Sequence, residues 1–216
     1  MTAYNLRMRI EFVLLAGLAA AQAPTRDLHL VGDRFKPLTY DQMTPAQKIM
    51  TEHLLTGERG GMTGPFNVLL RSPEMGDAVQ KLGAQVRYHS SLPPRLNEFA
   101  IIIAGRFWNA QYEWYAHKRL ALQAGLSPAI VDALATGRRP PAMQPDEEAV
   151  YNFVTELLHT KQVSDATFAA ARDKLGERSL VDLVGVVGYY GLVSMVLNVD
   201  RYPLPPGVQP ELKPLP

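Results

Sequence analysis

Cysteine is absent from this sequence of 216 residues. A chain without thiols has no thiolate nucleophile, no disulfide, no cysteine-ligated zinc and no iron–sulfur cluster. The lack excludes these classes of redox and metal chemistry, but it indicates nothing about the cellular compartment.

An excess of charge of either sign is also lacking. The formal net charge is +1, and the longest basic run is the pair Arg138-Arg139. Such a chain exerts no long-range attraction on nucleic acid or on an anionic membrane, so neither is predicted as a partner. With 47% apolar and 20% charged residues, the composition is that of a packed globular protein of one domain.

The N-terminal segment has an apolar run too short to span a bilayer. Arg7 and Arg9 precede this run, residues 12–21, and small alanines stand at its end and just after it, at 19, 21 and 23. This order predicts a secretory signal peptide over residues 1–23, and the alternative is an extra N-terminal helix. A cleaved leader implies a periplasmic or secreted protein, and an uncleaved segment implies a cytoplasmic one.

Helix signals occupy the rest of the chain. Thr44-Pro45 and Ser127-Pro128 have the residue types of helix starts, and Gly57 and Gly137 those of helix ends. No segment alternates with period two between turn signals. The sequence therefore predicts one all-α domain over residues 24–207 without a stable membrane span, followed by an extended proline-rich tail over 208–216.

The stretch "NAQYEWYAHKRL", residues 109–120, carries an acid and an imidazole within an aromatic setting. Glu113 and His117 lie four residues apart, so both side chains leave one face of a helix and can touch. They form either a structural pair in a helix contact or an acid/base pair with shifted pKa values. No HExxH motif or His/Asp cluster supplies further ligands, so no metal and no cofactor is predicted.

The central third of the chain, "LPPRLNEFAIIIAGRFWNAQYEWYAHKRLALQAGLSPAIVDAL", resembles the core of the carboxymuconolactone decarboxylase family, which includes alkylhydroperoxidase D-like proteins. In the hydroperoxidase branch a glutamate is followed by two cysteines and then a histidine. Counted from Glu98, the cysteine positions hold Ala110 and Glu113, and the histidine position holds His117. The resemblance extends to most of residues 45–207 and implies an alkylhydroperoxidase D-like helical bundle.

This departure from the family pattern decides which activity the resemblance implies. Peroxide reduction in the family uses the thiol pair, so the lack of cysteine excludes it. The cofactor-free branch remains, in which a small carboxylated lactone or keto acid loses carbon dioxide. His117, Glu113 and Glu98 are the implied catalytic residues, and the family's assembly implies a homo-oligomer, either a trimer, a hexamer or a dimer.

The predicted site includes groups that could hold such a substrate. A carboxylate or oxyanion needs a cation, for which Arg106, Arg95 and Arg71 are candidates. A flat, unsaturated or ring-containing molecule suits aromatic neighbours. The predicted substrate-binding residues are Arg106, Trp108, Gln111, Tyr112, Phe66 and Tyr190.

The grouping of Glu98 with the pair makes a geometric prediction. In one straight helix Glu98 and Glu113 would lie about 22 Å apart, too far to share a substrate. Gly105 and Asn109 permit a turn. We therefore predict a break between them that folds the second segment back onto the first.

Two alternatives to a cofactor-free lyase stay open on the sequence. One is a non-catalytic protein that binds a small molecule, or a scaffold, with the family fold. The other is a metal-dependent enzyme that uses Glu98, Glu113 and His117 together.

Overall fold

The computed structural model describes residues 27–214, and within this range it contains helices and no strand. The predicted all-α class is confirmed. The predicted signal peptide or extra helix over residues 1–23 lies outside the described residues.

Eight α-helices and one short 3₁₀ helix, Tyr40–Gln42, follow one another along residues 27–214. The α-helices are α1 Pro45–Thr56, α2 Phe66–Leu69, α3 Pro73–Tyr88, α4 Pro94–Phe107, α5 Gln111–Gln123, α6 Pro128–Ala135, α7 Pro145–Thr160 and α8 Asp165–Asp200.

The helix starts follow the local sequence signals. The Thr44 hydroxyl accepts a hydrogen bond from the Gln47 backbone N–H at 3.3 Å, and the Gln47 side chain accepts one from the Thr44 N–H at 2.9 Å. This reciprocal cap satisfies two donors at the start of α1. Pro45 occupies the first helical position, where a missing N–H costs nothing.

Helix α4 is the centre of the domain. Nearly every residue from Leu96 to Arg106 is buried, because α5, α7 and α8 all pack against α4. Phe99, Ile101 and Ile102 are fully inaccessible. A helix that is apolar on all sides is stable only when surrounded in this way. A smaller apolar cluster links α1 and α2 to residues 28 and 43.

The predicted break between α4 and α5 is confirmed. Helix α4 ends at Phe107 and α5 begins at Gln111, and Asn109 has a left-handed backbone with φ 49°. Asparagine tolerates this conformation better than most residues. Gly105 lies inside α4 with helical geometry, so the turn depends on Asn109. Helix α5 then returns along α4, which brings Glu98 beside His117.

Helix α8 combines a bend with an apolar C-terminal portion. Gly176 has φ 78° and ψ 162°, a non-helical backbone that forms a kink between two helical segments of α8. By length and composition α8 could cross a membrane, but 56% of its most apolar window is buried inside the protein. The core helix of a soluble protein passes the same test.

The proline-rich tail packs on its own chain. Leu212 is buried in the main core, and its backbone exchanges two hydrogen bonds with the Gln111 side chain, at 2.6 and 3.1 Å. Glu211 forms an ion pair with Lys118 at 2.6 Å and accepts a hydrogen bond from the Trp114 indole at 3.2 Å. The tail therefore covers the outer side of α5.

Candidate functional site

A carboxylate–imidazole–carboxylate array lies between α4 and α5. The Glu98 Oε2 atom is 2.7 Å from His117 Nδ1, and the Glu113 Oε1 atom is 3.0 Å from His117 Nε2. Glu113 and His117 come from successive turns of α5, and Glu98 comes from α4 across the bend. The His117 and Glu113 residues are each only 4% exposed, so the array is shielded from bulk water.

The environment of His117 favours its protonated form. Burial lowers the pKa of this imidazole, but the charges and hydrogen bonds of Glu113 and Glu98 outweigh burial and raise the pKa to about 9. At neutral pH both ring nitrogens therefore donate, Nδ1 to Glu98 and Nε2 to Glu113. The ring also meets Tyr190 edge to face, with 4.9 Å between centroids.

The array faces a cavity of about 250 Å³. Its wall is formed by the glycine-rich loop before α2, the end of α3, one face of α5 and the middle of α8. Besides Glu113 and His117, the polar wall consists of three arginines and four tyrosines: Arg59, Arg87, Arg119, Tyr112, Tyr115, Tyr189 and Tyr190. Such a wall suits a small anionic molecule with a flat body.

Arg59 brings to this cavity a donor that has no hydrogen-bond partner among residues 27–214. Its guanidinium lies 4.8 Å from the centre of the Phe66 ring and donates to the Tyr189 hydroxyl at 3.4 Å. Its Nε atom is buried and has no hydrogen-bond partner among the described residues. A buried N–H without an acceptor is costly, and a bound carboxylate or oxyanion would satisfy it.

Three of the four cavity tyrosines are held neutral near the array. Burial and the nearby Glu113 charge raise the pKa of Tyr190 well above its usual value, and burial also raises the pKa of Tyr189 and Tyr112. Their hydroxyls can therefore donate hydrogen bonds to a ligand but cannot act as bases at neutral pH.

Among the predicted substrate-binding residues, the structure places Tyr112 and Tyr190 on this cavity. Phe66 lies outside the cavity lining, since it is fully buried in the smaller apolar cluster beneath Arg59. Trp108 and Gln111 border a separate surface cleft. The bend after α4 turns both away from the array, and the Gln111 amide is bound to the tail.

The three predicted anion-binding arginines do not line this cavity and have other contacts. Arg106 donates to Asn109 at 2.8 Å and to the Lys213 carbonyl at 2.8 Å, and it borders a different cavity. Arg95 forms ion pairs with Asp146 and Glu147 at the start of α7. Arg71 is bound to carbonyl oxygens of Lys36 and Asn67 and to the Asn67 side chain, so it supports the chain entry to α1.

Sequence reasoning missed the arginines that do line the cavity, Arg59, Arg87 and Arg119. Arg119 shares a helical face with Tyr112 and Tyr115, at spacings of seven and four residues, so helical periodicity could have indicated it. Arg59 lies among the glycines of the loop, where a basic side chain could have indicated an anion-binding group. No local pattern distinguishes Arg87 from other surface arginines.

A metal ion has no ready place in the array. Residues 27–214 contain no group of three or more His, Asp or Glu side chains arranged to hold one. Glu98 and Glu113 lie on opposite ring nitrogens of His117, so the three groups do not converge on one point.

The comparisons with known proteins agree with this architecture. Residues 73–156 match the model of the carboxymuconolactone decarboxylase family. One similar solved structure is a protein of unknown function from Agrobacterium tumefaciens, described as a putative antioxidant defence protein AhpD. It is 18% identical with a TM-score of 0.57, and the alignment covers 66% of this chain and 100% of that one.

A second similar structure is an uncharacterized peroxidase-related protein from Silicibacter sp. TM1040. It is 13% identical with a TM-score of 0.61, and the alignment covers 84% of this chain and 94% of that one. At these identities the two structures show a shared fold. No curated protein sequence matches the chain.

The chain has the all-α, AhpD-like fold. The part of the chain that matches the carboxymuconolactone decarboxylase family model, residues 73–156, includes α4 and α5, the helices that carry the array.

Proposed function

We propose that this protein is a cofactor-free decarboxylase or related lyase that acts on a small carboxylated lactone or keto acid. The observation that supports it is the buried array of Glu98, His117 and Glu113 that faces a cavity lined by arginines and tyrosines. A protonated imidazole beside an anion-binding cavity can supply the proton that such a reaction consumes.

The reaction needs an electron-accepting carbonyl next to the carbon that bears the carboxylate. When the bond to the carboxylate carbon breaks, its electron pair moves into the carbonyl to give an enolate, and carbon dioxide leaves. The enolate carbon then takes a proton from the His117–Glu113 pair, which recovers one from water. Atoms and charge balance without any redox step.

Each part of the wall has a role in this scheme. We assign Arg59 Nε to hold the developing oxyanion or the substrate's carboxylate, since this atom has no acceptor among residues 27–214. Glu98 fixes the imidazole orientation through Nδ1, so that Nε2 and Glu113 face the cavity. Tyr112, Tyr115 and Tyr190 provide flat surfaces for an unsaturated body.

Peroxide reduction by a thiol pair is not part of this proposal. One similar structure is described as a putative antioxidant defence protein and the other as peroxidase-related, but the 216 residues of this chain contain no cysteine. Glu113 occupies the position of the second thiol in the resembling pattern, and a carboxylate neither forms a disulfide nor stores electrons.

The test is a panel of carboxylated lactones and β-keto acids incubated with wild type and with His117→Ala, followed by mass spectrometry. The expected result is a product lighter by one carbon dioxide with wild type only. Loss of a general acid slows turnover by about 10²–10⁴-fold. His29→Ala, which changes an exposed histidine outside the cavity, is the matched control. No product with any member of the panel would contradict the proposal.

One observation favours a second candidate, a non-catalytic protein that binds a small anion. Both nitrogens of His117 are already engaged by carboxylates, which is also the arrangement of a purely structural array. This candidate predicts that a panel compound binds equally well to wild type and to His117→Gln, without turnover. Calorimetric titration of both proteins with the same compound distinguishes the two functions.

A further inference from the structure

Arg106 is a buried cation that has no counter-ion among residues 27–214. Arg106 is only 3% exposed, and its guanidinium donates two hydrogen bonds, one to the Asn109 side-chain oxygen and one to the Lys213 backbone carbonyl, both of which are neutral. No carboxylate of residues 27–214 lies within ion-pair distance of it, and its Nε atom is buried without a partner. Burial lowers the pKa of Arg106, which reflects a charge taken out of water without compensation.

A second unused polar group lies at the same place. Arg106 and Thr155 of α7 both border a small cavity of about 60 Å³, and the Thr155 hydroxyl is buried without a hydrogen-bond partner among the described residues. Two buried polar groups left unsatisfied at one cavity are exceptional in folded proteins, where nearly all have partners.

The wall of this cavity has a positive character. Arg138 and His159 border it beside Arg106, and its other members are Ile103, Phe107, Leu134, Gly137, Tyr151, Thr155 and Leu158. The wall contains no carboxylate. It therefore offers donors and positive charge to an occupant and no group that would repel an anion.

The size of the cavity restricts the occupant. A single water needs about 10–15 Å³ of such space, so about 60 Å³ accommodates an ion of one to four heavy atoms and excludes a lactone. Water alone would satisfy the Nε and hydroxyl groups but would leave the guanidinium charge uncompensated. A monoanion does both.

We propose that Arg106 and Thr155 form a binding site for a small monoanion of the chloride or formate class, separate from the candidate active site. The anion accepts hydrogen bonds from Arg106 Nε and the Thr155 hydroxyl and neutralises the guanidinium. Arg106 also binds Asn109 at the α4–α5 bend and Lys213 of the tail. The occupied site therefore ties the bend, the tail and α7 together.

The experiment is a chloride titration of the full-length protein, with gluconate keeping the ionic strength constant because gluconate is too large for the cavity. The ³⁵Cl NMR line width and the thermal midpoint of unfolding are recorded together. For wild type we expect bound chloride to broaden the ³⁵Cl line, and we expect this excess broadening to saturate as the chloride concentration rises. The thermal midpoint of unfolding is expected to rise over the same range of chloride concentration. Unlabelled formate added to the same sample is expected to compete and remove the broadening.

Two variants identify the site. Thr155→Val removes a hydroxyl that has no protein partner, so the fold is retained, and we expect the saturable broadening to fall at least tenfold. Arg106→Gln is expected to abolish it. Arg172→Gln removes one positive charge from the exposed surface of α8 and is the matched control, with broadening unchanged. Wild-type broadening that is absent, or that persists in Thr155→Val, would overturn the proposal.

Discussion

At the scale of single residues, the character of the site depends on His117. A lone buried imidazole would be neutral, because burial penalises its charged form. Here the carboxylates of Glu98 and Glu113 each contact one ring nitrogen and make the charged form of the imidazole the favoured one. Without these carboxylates, burial would favour the neutral imidazole, and less of His117 would carry a proton at pH 7.

This reversal makes stability depend on pH. The pKa of His117 rises from 6.5 in the unfolded chain to about 9 in the folded protein. Between these two pH values His117 is protonated in the folded state but not in the unfolded chain. The contribution of this protonation to the free energy of unfolding is therefore fully present below pH 6.5 and is lost as the pH rises through 9. We expect urea unfolding to show this loss of free energy in wild type.

The matched variant for that prediction is His117→Gln, which keeps a polar side chain but does not titrate. Its unfolding free energy is expected to be lower than that of wild type at pH 6 and to change less between pH 6.5 and 9. Equal pH slopes for the two proteins across this window would show that the imidazole is not held in its charged form.

At the scale of elements, the α3–α8 contact sets one wall of the cavity. Gly83 of α3 lies directly against the ring and hydroxyl of Tyr189, and a methyl group added at Gly83 would overlap that hydroxyl. Tyr189 also accepts the hydrogen bond from Arg59. The small residue on α3 therefore determines where a cavity tyrosine and its arginine partner lie.

We expect Gly83→Ala to destabilise the protein by about 1–3 kcal/mol, since extra atoms in a packed contact force side chains from their positions. Ligand binding at the cavity should weaken as well, because Tyr189 must move. Gly185→Ala is the control, since a methyl there meets only Val86, at an ordinary contact distance of 3.5 Å, and it should stabilise α8 by about 0.5–1 kcal/mol. Thermal unfolding of both variants checks that the first change lowers stability and that the control raises it.

The α4–α5 bend shows what local sequence patterns can predict and what they cannot. Asn109 indicated a turn, and the end of α4 followed from it. Which side chains then face the array depends on the direction in which α5 returns. Because of that direction, Trp108 and Gln111 border a separate cleft and not the cavity beside the array. Helical spacing alone could not predict this.

At the scale of the whole molecule, α8 leaves an apolar stripe exposed. Val181, Val184, Met195 and Val199 lie on one face of this helix and are 71%, 49%, 42% and 53% exposed. Apolar side chains gathered on one surface indicate contact with another apolar surface. A second copy of the chain is the occupant we propose, consistent with the homo-oligomer that the family resemblance predicts.

The prediction is that wild type elutes as an oligomer and that Val184→Lys lowers its mass, because a charge buried at the contact is costly. Size-exclusion chromatography with light scattering measures both masses. Phe168→Lys changes an exposed apolar residue beyond the Gly176 kink and should leave the mass unchanged. A monomeric wild type, or an unchanged Val184→Lys mass, would refute it.

The sequence by itself determined the helical class, the caps of α1, the break near Asn109 and the pairing of Glu113 with His117, because these depend on residues close together in the chain. Tertiary structure alone decided the cavity wall. Arg59, Arg87 and Tyr189 meet there from a loop and two helices that are distant in sequence, and the same packing turned Arg106 and Phe66 away. Side-chain direction across helices depends on packing angles, which no local pattern encodes.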